Sequence, residues 1–246
     1  YAVTVKNPKE IKEVMDKAIY FLSNGRPGPV WVDVPIDIQG LLIDPTKLKG
    51  FNGNTKKLII DSAVSDNTKL ELSTKSNLND KNFRIIFEQL KKSKRPVILA
   101  GTGVSISEMN KQFIKLVKKL KIPVVTGWNA HDLISNDNRY YSGKPGTVGD
   151  RPGNFTVQNS DLLIVLGCRL NIRQISYSWK GFAPKAFKIM VDLDQAELDK
   201  PTLKIDYKIK ADLKKFIPLF LKKIESLNYA TTKEHNKYLK WCKERV

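Results

Sequence analysis

From Asp80 onward amphipathic helical stretches alternate with short and almost wholly apolar runs, without an internal sequence repeat. A helix carrying Phe83, Ile86, Phe87 and Leu90 on one face leads to the run Pro96 to Ala100. A helix over about Glu108 to Leu120 leads to Pro123 to Thr126, and one over about Asn154 to Asn159 leads to Asp161 to Leu166. The runs Lys188 to Leu193 and Tyr207 to Ala211 follow, and a helix over Leu213 to Ile224 closes the series. Apolar residues three and four apart make one helical face, while short continuous apolar runs make strands buried on both sides. Their alternation predicts an α/β domain over residues 80–228, with a central parallel six-stranded sheet and helices on both faces.

Residues 1–40 read differently. Asn7 before Pro8 is a cap followed by proline at the first helical position. Ile11, Val14, Met15, Ala18, Ile19 and Leu22 then share one helical face. Gly25 is the expected stop, and PVWVDVP, Pro29 to Pro35, reads as one short strand bounded by prolines that cannot donate to a ladder. A single helix and strand cannot enclose a core, so this segment is expected to be an appendage, the remnant of another α/β domain. Its uncovered apolar face (Ile11, Val14, Ala18, Leu22) would favour self-association. Residues 41–79 are rich in Asn, Ser, Thr, Lys and Gly, with Leu58-Ile59-Ile60 a brief apolar run, which is linker composition. Residues 229–246, with Tyr238, Trp241 and Cys242, read as a helical connector leading toward a further domain.

The formal net charge of +18, from 43 Lys and Arg against 25 Asp and Glu, raises the question of nucleic acid or an anionic membrane. The lysines are scattered, however, and often stand in helical stretches such as Lys111, Lys115, Lys118, Lys119 and Lys121. No aromatic residues interleave with an arginine stripe, so solvated helix faces account for the charge and neither nucleic acid nor membrane is expected as a partner. Cys168 and Cys242 have neither a disulfide framework nor metal-ligand spacing, which fits a reducing, cytoplasmic setting. The first residues contain no secretory signal and no run of about 18 apolar residues.

Candidate chemistry sits where strands end. Ala100 to Ser105, AGTGVS, follows a strand and opens a helix, where glycines admit a pyrophosphate to backbone N–H groups. Ile106 stands where the dinucleotide fingerprint asks for glycine, which argues against a standard NAD site and leaves a plain tight turn as the other account of Gly101 and Gly103. TGWNAHDL, Thr126 to Leu133, follows the next strand. In it Trp128 either stacks on a planar ring or plugs a groove, and His131 is either a proton carrier or a loop residue. Gly146-Thr147-Val148-Gly149 lies in a loop longer than most such connections, a length associated with binding. Arg169 follows a strand-end glycine and offers a planar fork to phosphate, with Asn171 and Arg173 alternating toward the same cleft. The other reading is two surface arginines. Asp192 at a strand's carboxyl end suits a ribose hydroxyl. Asp194 reads as a cap, and Asp212 either repeats the role of Asp192 or caps the next helix.

Together with GRPGPVWVDVPIDIQG, the stretch from Gly143 to Leu198 resembles the thiamine-diphosphate (ThDP) enzymes of the acetolactate synthase type. In wording the closest likeness is to ThDP- and FAD-dependent carboligases of deoxysugar and surface-polysaccharide pathways. The resemblance covers the end of a pyrimidine-binding domain (1–40), a linker (41–79), a central domain (80–228) and a connector toward a diphosphate-binding domain (229–246). It implies a fragment of a carboligase that decarboxylates pyruvate, a 2-oxo acid, and adds the two-carbon unit to an acceptor. It also implies a homo-oligomer, dimer or tetramer, when intact. ThDP and Mg²⁺ would be the cofactors, although the Gly-Asp-Gly…Asn segment that holds them is absent from this chain and the pyrimidine-side glutamate lies before Tyr1, so no catalytic residue and no metal ligand is expected here. FAD in the central domain would lie against Gly101, Thr102, Gly103, Thr126, Gly127, Trp128, Gly146, Thr147 and Val148. Arg169, Asn171 and Arg173 match the family's Arg-Phe-Asp-Asp-Arg segment, and Asp192 and Asp212 its adenosine-side acids. Asn171 replaces the usual Asp, and Thr147-Val148 replace the usual Met-His. A nucleotide-free central domain that only joins its neighbours and packs the oligomer is the alternative.

Overall fold

The structure, a computed structural model, describes residues 1–24, 27–51 and 78–246. The expected helix stop at Gly25 and the apolar run Leu58 to Ile60 lie outside the described residues. The chain divides into two compact units, Tyr1–Lys75 and Ser76–Val246.

In the first unit, strand β1 (Ala2–Thr4) pairs in parallel with β2 (Trp31–Asp33), with Ala2 opposite Trp31 and Thr4 opposite Asp33. The Pro29 to Pro35 strand therefore has a partner that the sequence reading missed, because three extended residues are too few to display a period. Asn7 caps the turn Pro8–Glu10 by accepting from the Lys9 backbone N–H at 3.1 Å, and helix α1 (Ile11–Ser23) follows directly. Val14 and Ala18 are buried, whereas Met15, Ile19 and Leu22 of the same stripe stay exposed. A short helix α2 (Ile36–Gln39) succeeds β2.

The second unit begins with α3 (Asp80–Lys92), started by a reciprocal cap. Asn82 N–H donates to Asn79 Oδ1 at 3.3 Å, and Asn79 N–H donates to Asn82 Oδ1 at 2.6 Å. Then come β3 (Pro96–Ala100), α4 (Gly103–Ile106), α5 (Asn110–Leu120), β4 (Val124–Thr126) and a 3₁₀ segment Trp128–Leu133. α6 (Arg151–Gln158), β5 (Leu162–Leu166), α7 (Ile172–Ile175), β6 (Phe187–Asp192) and α8 (Gln195–Asp199) follow, then β7 (Tyr207–Lys210), α9 (Leu213–Ser226) and α10 (Lys233–Lys243). The sheet runs β4-β3-β5-β6-β7, and every pair is parallel.

This is the expected class, with five strands in place of six. Beside the edge strand β4 runs the irregular segment Tyr140 to Gly143. Val124 N–H donates to Tyr140 O and Ser142 N–H to Val124 O, both at 2.8 Å, but only one parallel bridge forms, between Val124 and Tyr141. Edge pairing is thus satisfied without a regular strand.

Strand alternation divides the core into two layers. Ile98, Ala100, Ile164, Leu166, Ile189 and Val191 point toward α3, α5 and α9, where Phe83, Phe113, Phe216 and Phe220 join them. Val97, Leu99, Leu163, Val165 and Met190 point the other way, toward Val157 of α6, Leu198 of α8, and Tyr238 and Cys242 of α10. Residues 229–246 therefore contribute core side chains, with Tyr238 Oη donating to Thr156 O at 2.5 Å. No helix among the described residues is long and apolar enough to cross a membrane.

Buried His235 anchors α10. Its Nε2 lies 2.9 Å from Ser93 O, and since a carbonyl only accepts, Nε2 carries the proton and Nδ1 faces Tyr229 Oη at 3.3 Å. Burial pushes its pKa below the usual histidine value, against the weaker opposing effects of the Ser93 contact and Asp161. The folded form therefore binds fewer protons than the unfolded one. The stability that neutral His235 sustains is complete above the unfolded value of about 6.5 and declines as pH falls below it. The urea midpoint is expected to drop between pH 7 and pH 5, and His235→Gln should flatten that drop. An equal slope in both proteins would rule His235 out as its source.

Candidate functional site

Because every strand is parallel, all five carboxyl ends open on one edge of the sheet, and they carry most of the residues singled out above. The chain leaves β3 toward β4 on one side and returns to β5 on the other, so the order reverses between β3 and β5. Crevices for nucleotides open at such reversals.

At this reversal the backbones touch. Gly101 N–H donates to Leu166 O at 2.9 Å and Gly103 N–H to Gly167 O at 3.0 Å. A Cβ on Gly101 would stand 2.3 Å from Gly167 O, and one on Gly103 would stand 2.7 Å from Gly167 Cα. Gly167 itself has φ +56°, in the left-handed region that glycine enters without penalty. Close packing of the two turns thus accounts for these glycines by itself, and Thr102 is exposed between them.

Gly127 continues the edge, its N–H donating to Ala100 O at 2.8 Å. Thr126 is fully buried, while Trp128 is half exposed. His131 is exposed and directs Nδ1 at Trp128 O, 3.1 Å away, as a loop residue would. The long loop folds back onto α7: Thr147 N–H donates to Arg173 O at 2.8 Å, and its Oγ1 approaches the same oxygen at 3.2 Å. Asn154 grips Gly146 through both main-chain groups, at 3.0 and 3.2 Å. Val148 remains exposed. A hollow of about 170 Å³ lies here among Thr147, Asn154, Gln158, Gln174, Ser176 and Phe182. That is smaller than the roughly 300–1,000 Å³ of typical small-molecule sites.

Asn171 caps α7, accepting from Gln174 N–H at 3.2 Å. The Asn in place of the usual Asp thus has a local structural use, and Arg173 reaches the surface from the same short helix. Arg169 is the better-held arginine. Its Nε donates to Glu197 Oε1 at 2.5 Å, while 64% of its side chain stays exposed. Glu197 is almost buried. Burial would raise its pKa, but Lys200 and Arg169 more than offset this and hold the carboxyl below the usual glutamate range.

Asp192 is buried at the end of β6, where it accepts from Asp194 N–H at 2.9 Å, and its carbonyl accepts from Ala211 N–H at 3.0 Å. Asp212 caps α9 by accepting from Lys214 N–H at 2.8 Å, and Asp194 caps α8. The fold therefore draws Gly101, Thr102 and Gly103 against the β5 exit, and Gly146 and Thr147 against Arg173. Asp192 and Asp212 fall on the neighbouring strand ends. Cys168, inside the edge, is held as a thiol by burial, its pKa pushed up to about 11.

Sequence reasoning missed Glu197, Lys200, Gln174 and Asn154. Glu197 lies three residues after the capping Asp194, the spacing of a capping box, which gives it an adequate local explanation and hides its contact with Arg169.

The sequence profile of the family described as "Thiamine pyrophosphate enzyme, central domain" matches residues 84–220. A "Probable acetolactate synthase large subunit" of Methanococcus aeolicus is 32% identical over 233 residues, covering 92% of this chain and 35% of that protein. The protein of the same description from Methanocaldococcus jannaschii is 33% identical over 218 residues, 85% of this chain and 33% of its own length. The "Acetolactate synthase isozyme 1 large subunit" of Escherichia coli is 29% identical over 218 residues, 87% and 35% respectively. The chain thus spans about a third of the length of the curated relatives it matches. A parallel five-stranded domain whose matched span runs from α3 into α9 fits that profile, and the chain belongs to the thiamine pyrophosphate enzyme family, of which it carries the central domain.

Proposed function

We propose that this chain is the middle part of a ThDP-dependent carboligase that decarboxylates pyruvate and transfers the two-carbon unit, and that it binds FAD along the carboxyl edge of its sheet. The observation that carries the binding reading is Arg169 beside the β3/β5 reversal, its Nε occupied by Glu197 and its two Nη groups making no hydrogen bond to a described residue. A guanidinium in that state presents a two-pronged donor to a diphosphate. Thr102 and Trp128 would line the same ligand, with Asp192 and Asp212 toward the adenosine and Val148, Asn171 and Arg173 toward the flavin. ThDP and Mg²⁺ do not fit here: the chain contains no Gly-Asp-Gly segment, and the described residues include no group of three or more His, Cys, Asp or Glu placed to hold a metal. Those cofactors belong to other segments of the enzyme. In this reading residues 1–40 end a pyrimidine-binding domain, 41–79 link it to the central domain (80–228), and 229–246, whose helix α10 packs into that domain's core, lead onward. The intact enzyme is a cytoplasmic homo-oligomer, supported by the uncovered Met15, Ile19 and Leu22 of α1.

A second reading has its own support. The glycines at the reversal are accounted for by backbone packing, with no nucleotide needed to explain them. Titration of the full-length enzyme with FAD, followed by flavin fluorescence, separates the two. Arg169→Ala is expected to weaken binding tenfold to a hundredfold, about 1.5–3 kcal/mol for charge-assisted hydrogen bonds. Asp192→Ala should cost less, since a ribose contact exchanges with water. Unchanged affinity in Arg169→Ala, or no flavin binding by the full-length parent, favours the nucleotide-free reading.

A further inference from the structure

We infer that Glu197, together with Lys200, is the positioning device that aims Arg169 at the diphosphate of a bound dinucleotide, an inference that rests on the binding reading above. Three contacts form the device. Glu197 Oε1 takes Arg169 Nε at 2.5 Å, Glu197 Oε2 takes Lys200 Nζ at 2.8 Å, and Lys200 Nζ also donates to the main-chain oxygen of Arg169. One nearly buried carboxylate on α8 therefore fixes both the side chain and the backbone of a residue on the turn after β5. The backbone there needs holding, because the next residue, Leu170, is buried and has φ +49°, a conformation that non-glycine residues adopt at a cost.

The chemistry follows from which nitrogen is used. An arginine side chain has several rotatable bonds, and an unrestrained one must be ordered when it grips an anion. Engaging Nε fixes the guanidinium plane in advance and leaves the Nη1 and Nη2 edge for two phosphate oxygens. Glu197 touches no ligand in this scheme and acts entirely through Arg169. A lysine at position 169 could satisfy Glu197 or the phosphate, but its single ammonium cannot reproduce this two-sided geometry.

The test is a double-mutant cycle on the full chain, with ADP and FAD as separate probes. Glu197→Gln is expected to weaken ADP binding about tenfold, within the range by which contacting residues couple. Arg169→Ala should weaken it at least as much, Arg169→Lys nearly as much despite its retained charge, and the double variant Arg169→Ala/Glu197→Gln no more than Arg169→Ala alone. A residue that only stabilised the fold would instead give losses that add. Should Glu197→Gln fail to fold, Lys200→Met, which releases the Arg169 carbonyl and leaves the carboxylate in place, enters the same cycle with a smaller expected loss. Additive losses, or wild-type affinity in Glu197→Gln, overturn the positioning role while leaving the binding reading intact. A parent chain that binds neither ADP nor FAD removes both.

Discussion

Gly101→Ala is expected to lower the stability of the sheet domain by about 3 kcal/mol or more, beyond the usual range of overpacking. The added methyl would lie 2.3 Å from Gly167 O, 2.5 Å from Cys168 Cα and 2.7 Å from Cys168 Cβ. None of these atoms is the far end of a flexible side chain. The two turns are tied by the bonds from Gly101 N–H to Leu166 O and from Gly103 N–H to Gly167 O, so relief requires moving a strand end away from its neighbour. Gly127→Ala is the internal control. Its nearest atoms would be Gln174 Oε1 at 3.5 Å and Cys168 Sγ at 3.6 Å, ordinary contact distances, and its stability should stay within about 0.5 kcal/mol of the parent. Urea unfolding of the two variants checks this pair, and equal midpoints would show that the β3 and β5 exits do not pack as described.

Phe216→Ala should cost about 3–5 kcal/mol, the usual loss when a buried aromatic is truncated. Phe216 is fully buried between α9 and the sheet, with its ring centroid 5.5 Å from that of Phe83 and 5.5 Å from that of Phe220. Phe83 comes from α3, far away in sequence, so the cavity would open at the junction of the first and last helices on that face. Phe155→Ala, at a half-exposed site on α6, should cost far less. If the two truncations prove equivalent by thermal and urea unfolding, the aromatic cluster is not the centre of this layer.

The central strands were legible because both of their faces are covered. Pro96 to Ala100, Leu162 to Leu166 and Phe187 to Asp192 are buried almost throughout, which leaves near-continuous apolar runs in the sequence. The helices α3, α5 and α9 were legible through their periodicity. β1, partner of the legible β2, was not, and neither were α4, α7 and α8, since a short half-exposed strand or a single helical turn completes too little of a period to show one. At the site, the strand-end positions of the glycines and acids could be read locally, but not their use, since backbone packing employs Gly101 and Gly103 and helix capping employs Asp194 and Asp212. The grip of Asn154 on Gly146 and that of Glu197 on Arg169 could not, because each joins residues brought together only by the folded chain. Local chemistry even misdirects at Glu197, whose place in the first turn of α8 already explains a carboxylate.

The arrangement of the sheet also imposes an order on synthesis. β3 lies inside the sheet, between β4 and β5, but comes first in sequence among the five strands, and its second neighbour, β5, ends at Leu166. As the chain emerges from the ribosome, β3 can pair with β4 early, but one whole flank of β3 stays unpaired until residues 162–166 have appeared. During that interval Val97, Ile98 and Leu99 present an apolar edge capable of pairing with other chains. The nascent chain is thus exposed to misassociation at a strand that the finished domain buries along its whole length.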